Sequence, residues 1–98
     1  MYKILLMIKD NADNEIVESF RENALVHLEK ASGQNILIGE IDGAKLNEDP
    51  FSKVCEIEFE TKHEMDKVLA SNDGKKFNRN MTNFFQYISI FFIDFGVK

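Results

Sequence analysis

The chain has 98 residues, 44% of them hydrophobic, and its 12 Lys and Arg set against 17 Asp and Glu leave a net charge of −5. That length holds one core and one domain, residues 1–98, and the charge repels polyanions, so nucleic acid and acidic membrane surfaces are excluded as partners. The single cysteine, Cys55, rules out a disulfide framework and, between Val54 and Glu56, reads as a strand residue; a cytoplasmic protein without metal or cofactor is expected.

The opening stretch "MYKILLMIKD" holds a continuous apolar run from Ile4 to Ile8, bounded by Lys3 and Lys9. That is too short to span a membrane, and no small-residue cleavage site follows it. It reads as a first strand, Tyr2 to about Lys9, with Tyr2, Ile4, Leu6 and Ile8 on one face and Lys3, Leu5, Met7 and Lys9 on the other. Asn11 or Asp13 then caps a helix reaching about Ala31, ended by Gly33. Its apolar stripe is Ile16, Val17, Phe20, Ala24, His27, Leu28 and Ala31; Leu25 and Val26 fall outside it.

A second strand is expected from about Asn35 to Ile41, with Gly39 marking a bulge or a close backbone approach. The link 42–51 contains the only proline, Pro50. The third strand, about Lys53 to Glu60, alternates Cys55, Ile57 and Phe59 against Val54, Glu56, Glu58 and Glu60. Thr61 to Glu64 forms a capping box for a short helix burying Met65, Val68 and Leu69. Ser71 or Asn72 caps a second short helix with Phe77, Met81 and Phe84 inward. The closing "QYISIFFIDF" is a strand apolar on both faces, with Tyr87, Ser89, Phe91, Ile93 and Phe95 on one side and Ile88, Ile90, Phe92 and Asp94 on the other.

The order β-α-β-β-α-β is the α+β ferredoxin-like plan, a four-stranded antiparallel sheet in the order 4-1-3-2 with helices on one face. On the open face, Glu56 and Glu58 share space with Lys3 and Lys9, and the charges complement each other. The same face carries Leu5, Met7, Val54 and half of the last strand's aromatics, too much apolar surface to leave in water. The economical cover is a second copy packed sheet to sheet about a two-fold axis, a homodimer.

Two stretches resemble a known family. "SNDGKKFNRNMTNFFQYISIFFIDF" is similar to the C-terminal signature of the EthD family of the dimeric α/β barrel superfamily, and "CEIEFETKHEMDKVLAS" is similar to the strand and helix preceding it. The resemblance implies a dimeric α/β barrel that holds an apolar or aromatic compound in a pocket between sheet and helices. The reactions it implies are cofactor-independent oxygenation, cyclisation or isomerisation. The chain departs from the family at "ALVHLEKASG", where family members carry a histidine and two prolines: Ala24 takes the histidine's place, and Val26 and Ser32 replace the prolines. An alternative is therefore a non-catalytic binding or accessory homodimer.

His27 is a catalytic candidate because histidine titrates near neutrality, although the plainer reading is a core or boundary histidine with one backbone partner. Glu56 and Glu58 project the same way about 6.5–7 Å apart, so a shared cavity would push their pKa values apart for acid–base work. The plainer reading is pairing with Lys3 and Lys9. Met7, Val54, Tyr87 and Phe91 are the candidate ligand-binding residues, and Tyr2 offers a second phenol. His63 sits in the first turn of a capped helix, in solvent. Lys75, Lys76 and Arg79 form a basic helix face, either an anion attractor or plain solvated surface. Glu56 and Glu58 on the exposed side of strand three argue against RNA binding. The absence of tryptophan argues against the haem-degrading relatives of the barrel.

Overall fold

The structure, a computed structural model, describes residues 1–42 and 50–96. The chain runs β1 (Tyr2–Lys9), α1 (Asn14–Phe20), a π-helical turn (Arg21–Leu25), α2 (Val26–Ser32), β2 (Gly39–Glu40), β3 (Phe51–Phe59), α3 (Lys62–Ala70), α4 (Asn72–Met81), a 3₁₀ turn (Thr82–Phe84) and β4 (Ile88–Asp94). The strands pair antiparallel in the order β2-β3-β1-β4, the ferredoxin-like α+β plan. Most of the expected link 42–51 lies outside the described residues.

Alternation in the strands decides which face the helices cover. Ile4, Leu6 and Ile8 of β1 are at most 1% exposed, and Cys55, Ile57 and Phe59 of β3 join them against Phe20, Leu28 and Phe77 of the helices. Each large apolar side chain buried this fully stabilises the fold by roughly 1.5–3 kcal/mol. Edge-to-face packing of Phe20 and Phe84, 5.8 Å between ring centres, locks the 3₁₀ turn onto the first helix.

The helix caps follow the sequence. The Asp13 side chain accepts from the Ile16 amide, Thr61 from Glu64 and Ser71 from Gly74, each side-chain oxygen satisfying a first-turn N–H. Gly33 ends α2 in the left-handed region, at φ 70°, where a side chain is disfavoured. Between α3 and α4 the chain turns so tightly that a Cβ on Gly74 would stand 2.1 Å from the Val68 carbonyl oxygen. Only glycine fits there.

Three expectations are corrected. The first helix is interrupted by a π-helical turn, whose wider winding rotates Leu25 inward. Leu25 is fully buried although its α-helical spacing left it off the stripe. Secondly, β2 covers only Gly39–Glu40 rather than Asn35 to Ile41. The Glu29 carboxylate accepts from the Ile36 amide at 2.8 Å, and Gln34 Nε2 donates to the Glu58 carbonyl at 2.8 Å. Those groups are thus taken by side chains rather than by a strand ladder. Thirdly, β4 begins at Ile88, so Tyr87 belongs to the preceding turn and does not follow the alternation of Ser89, Phe91 and Ile93. Among the described residues no helix is long and apolar enough to cross a membrane.

Candidate functional site

The open face of the sheet is set by register. Lys3 lies opposite Glu58, Leu5 opposite Glu56 and Met7 opposite Val54, while across the other ladder Leu5 faces Phe91 and Lys3 faces Ile93. Met7, Val54 and Phe91 therefore share one surface, and Phe91 remains 45% exposed. Lys3 Nζ reaches Glu58 Oε1 at 3.0 Å and Glu56 Oε1 at 3.6 Å, and stands 5.4 Å from the centre of the Phe95 ring. The hydrogen bond to Glu58 raises the Lys3 pKa above its ordinary value, against partial desolvation, with the Glu56 charge assisting.

Both glutamates thus turn to one lysine. Lys9 was expected to share them, but it lies at the far end of β1 beside a register shift, and among the described residues it forms no ion pair.

His27 is elsewhere. It lies on α2, where its Nδ1 is 3.3 Å from Asp73 Oδ1 in the first turn of α4. The sheet separates it from Glu56 and Glu58, so the three catalytic candidates do not converge in this chain. Tyr87 also parts from its group: it packs against the core and lines a groove of about 610 Å³ with Ile16 and Phe84. Tyr2 faces the helix side, opposite Asp94, whose hydrogen-bonding carboxylate raises the phenol's pKa. His63, Lys75, Lys76 and Arg79 are exposed. Burial pushes the Cys55 thiol up to about 12, which leaves it protonated and unreactive at neutral pH.

A groove that strand patterning does not reveal lies between α2, α3 and the end of β3. Its inner part, about 380 Å³, has Phe59 as floor and Ala31 and Val68 as walls, with Ser32, Lys67 and Ser71 at its polar margin. An outer part of about 690 Å³ continues from it through Gln34, Phe59 and Glu64, and reaches Met1, Glu58 and Glu60. The outer part is the larger, yet the inner has the apolar lining that small-molecule sites require. The shortness of β2 is what opens this region: β2 pairs only with Lys53 and Val54, so the outer edge of Cys55–Phe59 has no strand partner among the described residues. The polar run Gly33-Gln34-Asn35 marks a turn, but the six residues from Ile36 to Ile41 still suffice for a strand, so the sequence carried no signal for the short β2.

No family profile matches the sequence, and no curated protein is similar to it. Solved structures do share its fold. The crystal structure of an ethyl tert-butyl ether d (EthD) family protein from Bacillus halodurans superposes with a TM-score of 0.72 at 14% identity, covering 96% of this chain and 97% of that one. A protein of Arabidopsis thaliana gives 0.66 at 18% identity over 99% of this chain and 94% of its own, and HapK from Hahella chejuensis gives 0.58 at 14% over 100% and 96%. With both chains covered almost end to end, the likeness takes in the whole domain rather than a shared motif. In fold, the chain is EthD-like.

Proposed function

We propose that this protein is a cytoplasmic homodimer that binds a small apolar or aromatic molecule in the groove between β3, α2 and α3. The observation that carries the reading is the inner groove, an apolar recess of about 380 Å³ floored by Phe59 and edged by hydroxyls and charges. Such a recess buries a flat hydrophobic body while its margin orients a polar substituent.

Charge on the open face supports a second copy as its cover. Lys3 between Glu56 and Glu58 leaves that end of the face one charge negative, while Lys9, six residues along β1 and about 20 Å away, brings a positive charge that forms no ion pair among the described residues. A two-fold axis between them sets each end against its opposite in the partner, over Leu5, Met7, Val54 and Phe91. The ferredoxin-like fold and the EthD resemblance point the same way.

Binding without turnover is the second reading, and the placement of the candidates favours it. His27 is engaged by Asp73, Glu56 and Glu58 are engaged by Lys3, and only Glu58 borders the groove. The EthD-type alternatives, cofactor-independent oxygenation, cyclisation or isomerisation, would draw on Glu58 and Glu64, which line the outer groove.

Native mass spectrometry of the protein as purified, at low micromolar concentration, tests the proposal. A dimer carrying a small extra mass is the expected result. A bare monomer overturns it.

A further inference from the structure

We infer that the groove is incomplete in one protomer and is closed by the second copy, so that ligand binding and dimerisation are one coupled equilibrium. The inference rests on the reading above and adds a physical link between its two halves.

Glu58 belongs to both surfaces. Its side chain lies on the open face, 3.0 Å from Lys3, and it also borders the outer groove, while its carbonyl accepts from Gln34, another groove residue. The groove bends round the outer edge of Cys55–Phe59, which has no strand partner among the described residues, from the helix side of the sheet toward its open side.

At the same corner stand two exposed apolar side chains, Met1 at 52% and Phe95 at 58% exposure, tied by the Phe95 amide donating to the Met1 carbonyl at 2.9 Å. Met1 lines the outer groove, and Phe95 lies against Lys3. The rim of the groove and the rim of the open face are thus the same few residues.

Enclosure decides the affinity. Ligand sites bury about 70–90% of a small molecule, and this outer groove, with Glu58 and Glu60 exposed at its mouth, is too open to do that alone. A second sheet packed over Leu5, Met7 and Phe91 at about 10 Å puts side chains over that mouth. Water leaves the corner, and Met1 and Phe95 are covered. A ligand in the groove then adds contact to the partner, so each binding event strengthens the other by the same factor, as linkage requires.

The test uses N-phenyl-1-naphthylamine, a neutral aromatic amine that brightens in apolar sites, with sedimentation velocity to read the dimer dissociation constant. Saturating probe tightens the wild-type dimer by roughly 5- to 150-fold, the usual range of coupling between linked sites. Leu5→Glu and, as a second variant, Met7→Lys yield folded monomers that bind probe more weakly by about the square root of that factor, because each dimer closes two equivalent grooves. Dilution of the wild type below its dimer constant gives that weak affinity without any substitution. Monomers that bind probe as tightly as the dimer, with an unchanged dimer constant, overturn the coupling and leave the groove reading standing. Val68→Trp fills the inner groove: loss of probe binding supports the groove as the site, and undiminished binding overturns the groove reading and with it the inference.

Discussion

The two faces of the sheet are built from the same strands by the same alternation, yet they have opposite needs. The centre of the helix side is closed: Ile4, Leu6 and Ile8 are at most 1% exposed, and among the described residues no buried side-chain polar atom lacks a hydrogen bond. The open side mixes half-exposed Leu5, Met7 and Val54 with a lysine holding two glutamates. A face meant for solvent would carry fewer apolar residues, and a face meant for the core would not carry Glu56 and Glu58. The mixture is what the proposed pairing with a second copy requires. The difference teaches that burial in one chain measures only half of what a sheet residue is for.

The contrast is sharpest where one face is cut and the other spared. Phe77→Ala, on the covered side, costs about 3–5 kcal/mol in chemical denaturation, because a fully buried ring leaves a cavity that the helices cannot close. Leu5→Glu, on the open side, spares the monomer's stability and weakens the dimer at least a hundredfold, about 3 kcal/mol, as read by light scattering across a dilution series. A dimer unaffected by Leu5→Glu would break the comparison outright.

Gly74→Ala, within the helix layer, destabilises by about 1–3 kcal/mol, since its Cβ meets the Val68 carbonyl and the backbone must move. Thr61→Ala removes the cap of α3 at a cost of about 1 kcal/mol with the dimer untouched.

The smallest effect is in alkaline solution. Lys3 has a pKa raised above 10.5 by Glu58, so its pairing contributes stability that is full below that value and is lost as pH rises through the raised one. Thermal unfolding from pH 9 to pH 12 should show this alkaline loss in wild type. Lys3→Met should show a smaller loss, the remainder coming from Cys55 and Tyr2, whose raised pKa values also favour the unfolded chain as pH rises.

Much of the fold was legible because it depends on periods and punctuation. Alternation in β1 and β3 marked the buried set, Thr61 and the pairs Asn11 or Asp13 and Ser71 or Asn72 marked the helix starts, and Gly33 marked a helix end. Where a side chain competes with the backbone, pattern reading fails. Glu29 and Gln34 take the amide and carbonyl that would have lengthened β2, and a π-helical turn brings Leu25 in against its spacing. The candidate site suffered most from this, because the groove exists where β2 stops short.

The chemistry-bearing residues divide the same way. That Glu56 and Glu58 point together with Lys3 within reach follows from the two-residue repeat of a strand and the order of the strands. That His27 meets Asp73, 46 residues away, depends on how α2 packs against α4, and no local spacing encodes it. Sequence alone determined the elements, their order and the apolar character of both faces of the sheet, because hydrogen-bond geometry and hydrophobic period are local properties of the chain. Only the tertiary structure decided which candidates share a surface, where β2 ends and where a groove opens, because those depend on contacts between segments whose separation in sequence carries no signal of their distance in space.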